Sequence, residues 1–169
     1  MKKPPVKVPV MLLMNPVCFL AFVGGVGLLR KAPGTISSII GVILYLTVLQ
    51  HLPIRAYVLT ILIGFLAGIT ICQYTYKKLQ SHDHPAIGWD EVIGMWITLI
   101  GMRAEPTWAW AVLGFILFRI FDIYKPYPIN YLDRHLKGGL GIMLDDVVAG
   151  VYACICLHII IAVSNNFIN

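Results

Sequence analysis

Charge is what this sequence has least of. Lys, Arg, Asp and Glu together make up 12% of its 169 residues, where a soluble domain carries about 25%. A water-soluble globule is therefore excluded. Long polar stretches are absent as well, so residues 1–169 read as a single integral-membrane domain with no room for a soluble one. Cysteine is confined to Cys18, Cys72, Cys154 and Cys156, all within apolar runs and none at metal-binding spacing such as CxxC. These read as small buried hydrophobes, and neither a Cys–His nor a Ser–His–Asp nucleophile presents itself. The formal charge of +5 comes from basic residues placed mostly in loops, a pattern that suits anionic lipid head groups rather than nucleic acid.

What is present is apolar surface: 59% of the residues are hydrophobic. Apolar runs occupy about 36–50, 56–76, 90–102, 107–124 and 142–163. A span needs about 20 residues, so the expectation is an all-α, polytopic membrane protein with about five spanning helices. The third run is short, and its Gly94 and Gly101 suit close approach by a neighbouring helix. Residues 11–29 are apolar too, but Asn15-Pro16, Gly24, Gly25 and Gly27 interrupt them, which predicts a re-entrant or interfacial segment. The basic start suggests a signal peptide. Pro9, Pro16 and the lack of a small-residue cleavage site predict that it is retained.

Topology follows from the distribution of Lys and Arg. If 11–29 re-enters and the five later runs span, ten basic residues share the inner side: Lys2, Lys3, Lys7, Arg30, Lys31, Lys77, Lys78, Lys125, Arg134 and Lys137. Arg55 and Arg103 lie opposite, and Arg119 falls within a helix. A spanning 11–29 would leave five inside against seven outside. The re-entrant arrangement wins, and it brings Thr35, Asp90, Glu91, Asp122, Lys125, Asp145 and Asp146 to the cytoplasmic ends of their helices.

Acids at a membrane edge are costly and mark function by default. Asp90 and Glu91 begin the third run, Asp122 ends the fourth, and Asp145 and Asp146 begin the fifth; Asp83 and Asp133 fall in inner loops and Glu105 outside. Ordinary helix-start acids that complement the dipole would account for all of the first group except Asp122. Adjacent residues diverge by about 100° on a helix, so one acid of each pair should face the bundle interior. Asp146, Gly150 and Ala153 make a small-residue packing stripe. Converging carboxylates call for a hard divalent cation, and Mg²⁺ takes oxygen ligands and often completes its shell with phosphate.

Around Asp122 the sequence reads FRIFDIYKPYPI. Arg119, Asp122 and Lys125 repeat at i, i+3, so they can share a face until Pro126 stops the helix. An internally paired ladder is the structural reading; beside the other acids, a phosphate held by Arg119 and Lys125 is the stronger one. The turn Ala32-Pro33-Gly34-Thr35 could offer backbone N–H groups and a hydroxyl to an anion. His82 and His84 flank Asp83 ahead of the third run, where they are either solvated or take part in proton transfer. Lys137-Gly138-Gly139-Leu140-Gly141 reads as a flexible phosphate-contacting loop. Trp96, Trp108 and Trp110 read as interfacial anchors or packing.

The blocks APGT, HDHPAIGWDEVIGMWITL, FRIFDIYKPYPI and HLKGGLGIMLDDVVAGVYA, between residues 32 and 153, resemble the motifs of bacterial phosphatidylglycerophosphatase A. That resemblance implies a Mg²⁺-dependent enzyme of the bacterial inner membrane that hydrolyses phosphatidylglycerophosphate to phosphatidylglycerol and phosphate at the cytoplasmic surface. On this expectation Glu91, Asp122, Asp145 and Asp146 hold one or two Mg²⁺ ions, and Asp90 serves as ligand or general base. Arg119 and Lys125, with Thr35 and His82, contact the phosphate. Attack by water and an aspartyl-phosphate route both stay open. The rivals are a CDP-alcohol phosphotransferase, whose DGxxAR block is missing here, and an ion or proton transporter, which would want its acids nearer the bilayer midplane.

Overall fold

The structure is a computed structural model and describes residues 8–29, 31–79, 85–102 and 108–168; these hold helices and turns and no strand. His82, His84, Asp83 and Glu105 lie outside the described residues.

The N-terminal segment is broken as its prolines and glycines predict. A 3₁₀ turn, Val10–Met14, leads to α1, Pro16–Ala21, whose start is set by Pro16 at the first turn and by the Asn15 side chain accepting from Val17 N–H and Cys18 N–H. At six residues and about 1.5 Å per residue, α1 is far too short to span. It folds back through residues 22–25 and packs against α3, Ile54–Leu79, where the Thr75 hydroxyl meets the Cys18 thiol.

Three segments are long and apolar enough to cross a membrane: Pro33–His51, containing α2 (Pro33–Thr47); Ile54–Leu79; and Gly138–Asn166, within α7 (Gly138–Ile168). Their faces are sorted in the sense expected in lipid. On α3, Val58, Leu59, Leu62, Ile63 and Leu66 point outward, while Gly64, Gly68 and Cys72 are buried. On α7, Val151, Ile155 and Ile159 are exposed and Ala149, Gly150 and Ala153 are buried. Small residues inside let backbones approach, and aliphatic residues outside meet the bilayer. α5, Trp108–Tyr124, follows the same rule over 17 residues, with Ala111, Gly114 and Phe118 inward.

α4, Trp89–Thr98, differs from the rest. It has ten residues, about 15 Å of helix, and every residue from Val92 to Thr98 is buried. α2, α3, α5 and α7 all pack around it. Its Trp and Thr donors are satisfied internally, as burial in an apolar bundle requires: Trp89 Nε1 donates to Gly64 O at 3.0 Å, Trp96 Nε1 to Gly41 O at 3.2 Å, and Thr98 Oγ1 to Gly94 O at 2.9 Å. Its own Trp96 carbonyl accepts from the Tyr57 hydroxyl at 2.6 Å. The third apolar run of the sequence is thus the hub of the bundle, shorter than the helices around it.

A last short helix, α6, Ile129–His135, bridges α5 and α7. The glycine run at 138–141 forms the first turn of α7 instead of a loop. Gly139 explains why. A Cβ there would run into the Ile69 carbonyl of α3, so glycine lets the two helices touch, and Gln73 of α3 accepts from Gly139 N–H at 2.7 Å. These contacts bring the N-terminal ends of α2, α4 and α7 and the C-terminal ends of α3 and α5 to one end of the bundle.

Candidate functional site

All the acids singled out in the described helices are at that end. Asp90 and Glu91 occupy the first turn of α4. Asp122 lies in the last turn of α5. Asp145 and Asp146 sit about two turns into α7, which begins at Gly138, and no acid is in that helix's first turn. A dipole-complementing role weakens beyond the first turn, so it does not account for this pair.

Packing divides the five acids into two kinds. Asp90, Glu91 and Asp146 each place an oxygen such that the three lie within 4.8 Å of one another. Asp146 is 4% exposed, and its Oδ2 and the Oε2 of Glu91 are buried without a hydrogen-bond partner among the described residues. Carboxylates so crowded repel each other, and a buried oxygen without a donor adds to the cost. An all-oxygen cradle of this kind fits a hard divalent cation.

The other two acids are ion-paired. Asp122 Oδ2 stands 2.6 Å from Arg119 Nη1, and Asp145 Oδ2 2.7 Å from Lys125 Nζ. Of the four residues expected to ligate metal, then, Glu91 and Asp146 are in the three-carboxylate cluster, while Asp122 and Asp145 engage cations beside it. Asp90, expected as ligand or base, is within the cluster. The 100° rule holds for Asp145 and Asp146, which part company. It does not separate Asp90 from Glu91, which both reach the cluster.

The cations carry further detail. Arg119 also reaches Ser38 Oγ at 3.5 Å, and its Nε is buried with no partner among the described residues. Lys125 lies just beyond α5 with φ +43°, a left-handed backbone that a residue with a Cβ rarely adopts. Burial works to lower its pKa, but the carboxylates of Asp145 and Asp133 outweigh it and hold the ammonium above its ordinary range. Lys125 therefore stays charged across physiological pH.

Thr35 is half-buried in the first turn of α2, one residue from Gly34. On sequence grounds Gly34 reads only as part of a turn that could offer backbone N–H groups to an anion. A Cβ there would fall on Glu91 Oε1 and come within 3.4 Å of Arg119 Nη1, so its missing side chain is the space in which the Glu91 carboxylate rests. Asp133, 3.0 Å from Lys125 Nζ, was passed over as a loop acid; seven residues, two of them prolines, separate the pair, so no helical spacing signals it. Gly34→Ala should lower activity by about a hundredfold through displacement of Glu91, with the unfolding temperature in detergent nearly unchanged. Full activity in that variant would show that Glu91's position is not critical.

The phosphatidylglycerophosphatase A family model matches residues 19–161. The chain is 42% identical over 148 residues to phosphatidylglycerophosphatase A of Escherichia coli (strain K12), covering 88% of this chain and 85% of that one. It is 42% identical over 148 residues to the Haemophilus influenzae protein of the same name, covering 88% and 90%. A Bacteroides thetaiotaomicron relative, provisionally named a phosphatidylinositol-3-phosphatase, is 35% identical over 143 residues, covering 80% of this chain and 87% of that one. No solved structure matches the chain.

Proposed function

The chain belongs to the phosphatidylglycerophosphatase A family and is a lipid phosphatase, and we propose that it hydrolyses phosphatidylglycerophosphate to phosphatidylglycerol and phosphate, with Mg²⁺, at the cytoplasmic face of the bacterial inner membrane. The observation that carries this reading is the cluster of Asp90, Glu91 and Asp146 flanked by two cations at one end of an apolar bundle.

Asp90, Glu91 and Asp146 would hold the ion, and Asp122 and Asp145 stand close enough in the fold to aim the cations or to serve a second ion. Bound there, a divalent cation supplies Lewis-acid stabilisation of phosphoryl charge and a more acidic water. Arg119, steadied by Asp122, presents its remaining donors to the phosphate, and a guanidinium suits two oxygens at once. Lys125 adds a permanently charged ammonium on a flexible stem. Together they offset the negative charge that five acids would otherwise turn against an anionic substrate. Any of the cluster's carboxylates left free of the ion could take a proton from the attacking water, and Asp90, in the first turn of α4, is our candidate for that role.

Topology supports the same picture. α2, α3, α5 and α7 alternate in direction with α4 among them, as five crossings would, with the third made by a short helix and the turn after it. The N-terminal segment would dip and return beside the 85–88 loop, where Gly88 N–H donates to Ala21 O at 2.9 Å. Basic residues predominate on the side that would be cytoplasmic.

The test is phosphate release by the purified protein. Release from phosphatidylglycerophosphate should fall to background in EDTA and return with excess Mg²⁺. It should exceed release from phosphatidic acid and from phosphatidylinositol-3-phosphate. Undiminished release in EDTA would remove the metal, and a preference for the inositol lipid would replace the substrate.

A further inference from the structure

We infer that Asp133 is a positioning residue for phosphate hydrolysis, acting through Lys125; this rests on the reading of Lys125 as a phosphate-neutralising cation. Lys125 Nζ is held by two carboxylates from different helices, Asp145 Oδ2 of α7 at 2.7 Å and Asp133 Oδ1 of α6 at 3.0 Å. A lysine on its own is a mobile point charge with four rotatable bonds. Two anchors from two helices define where its ammonium rests, which one anchor does not.

The backbone is consistent with a fixed position. Lys125 occupies left-handed space at φ +43°, a cost the surrounding structure must offset, and it leaves α5 at the point where Pro126 prevents continuation. α6 is placed independently of the ion pair: Ile129 is fully buried in the core, and α6 packs along α7. Asp133 therefore approaches from a seated helix. Its side chain is 36% exposed, and ion pairs of that exposure contribute little to stability. A purely structural role would thus be small, so the consequence of losing Asp133 should appear in catalysis.

The experiment is a double-mutant cycle in kcat/KM on phosphatidylglycerophosphate vesicles, with Asp133→Asn, Asp133→Glu, Lys125→Gln and the Asn/Gln double variant. Thermal unfolding in detergent accompanies each. Asp133→Asn should lower kcat/KM by about tenfold, and Asp133→Glu should return it to within about twofold of the parent. Lys125→Gln should cost more, and the double variant should be no worse than Lys125→Gln alone. Strictly additive losses, a fully active Asp133→Asn, or failure of Glu to rescue would overturn the role of Asp133. Full activity in Lys125→Gln would overturn it too, by removing the Lys125 reading on which it depends. An inactive Lys125→Gln beside a fully active Asp133→Asn would leave that reading standing and remove only Asp133.

Discussion

Asp146→Asn should reduce phosphate release roughly a hundred- to a thousandfold, on the scale of losing a central electrostatic contact in an active site. The substitution keeps the shape of a residue that is 4% exposed and sits about two turns into a packed helix. It removes one negative charge from a cluster whose oxygens lie within 4.8 Å of one another. Folding without metal should therefore be unharmed or slightly improved, because like charges no longer crowd. Mg²⁺ should raise the parent's unfolding temperature by binding the folded state, and Asp146→Asn should abolish that rise. Asp90→Asn and Glu91→Gln should behave in the same way. The combination separates a ligand from a packing residue: a variant that is inactive and metal-insensitive yet stable fits a ligand, and one that is merely unstable does not. Near-parental release from Asp146→Asn would sink the three-carboxylate site.

The second large effect should come from Gly150→Val, through packing first and chemistry second. A Cβ at Gly150 would lie 2.5 Å from the Gly94 carbonyl oxygen of α4. Gly94 is equally confined, since a Cβ there would be 2.5 Å from the Phe118 ring and 2.9 Å from the Asp146 carbonyl. α4 and α7 thus cross glycine against glycine, and no flexible side chain can yield. Valine should cost about 3 kcal/mol, the upper part of the usual range for overpacking, read as a lower unfolding temperature in detergent. Activity should fall as well, because Asp146 is one turn from Gly150 and moves with it away from Asp90 and Glu91. Val151→Leu, on the exposed face of the same helix, is the comparison and should change neither stability nor activity. If the two variants unfold alike, the crossing is not tight.

Much of this molecule was legible from residue order alone, for reasons of solvation. Burying carboxylates in hydrocarbon is so costly that their spacing against the apolar runs already places Asp90, Glu91, Asp122, Asp145 and Asp146 at one end of a helical bundle. Periodicity is enough to join Arg119 to Asp122, because i, i+3 neighbours on a helix have little choice. Glycine in the third run announces a close helix crossing, since only a missing side chain permits one.

The division of labour among the acids was decided elsewhere. Sequence says where a helix runs and how its residues fan out, but not how far the helix is rotated about its own axis. That rotation is set by packing: Gly94 on Gly150, Gly139 on Ile69, Gly34 on Glu91. It turns Asp146 toward Asp90 and Glu91 and turns Asp145 toward Lys125. The first turn of α7, residues 138–141, reads by sequence as a phosphate-contacting loop, and it is helical with α3 lying against it. Composition and charge spacing thus determined the class of protein and the end of the bundle that holds its acids. Which three carboxylates share a site, and that Asp133 holds Lys125 from across a turn, came only from tertiary structure, because side chains distant in sequence meet only where packed backbones bring them together.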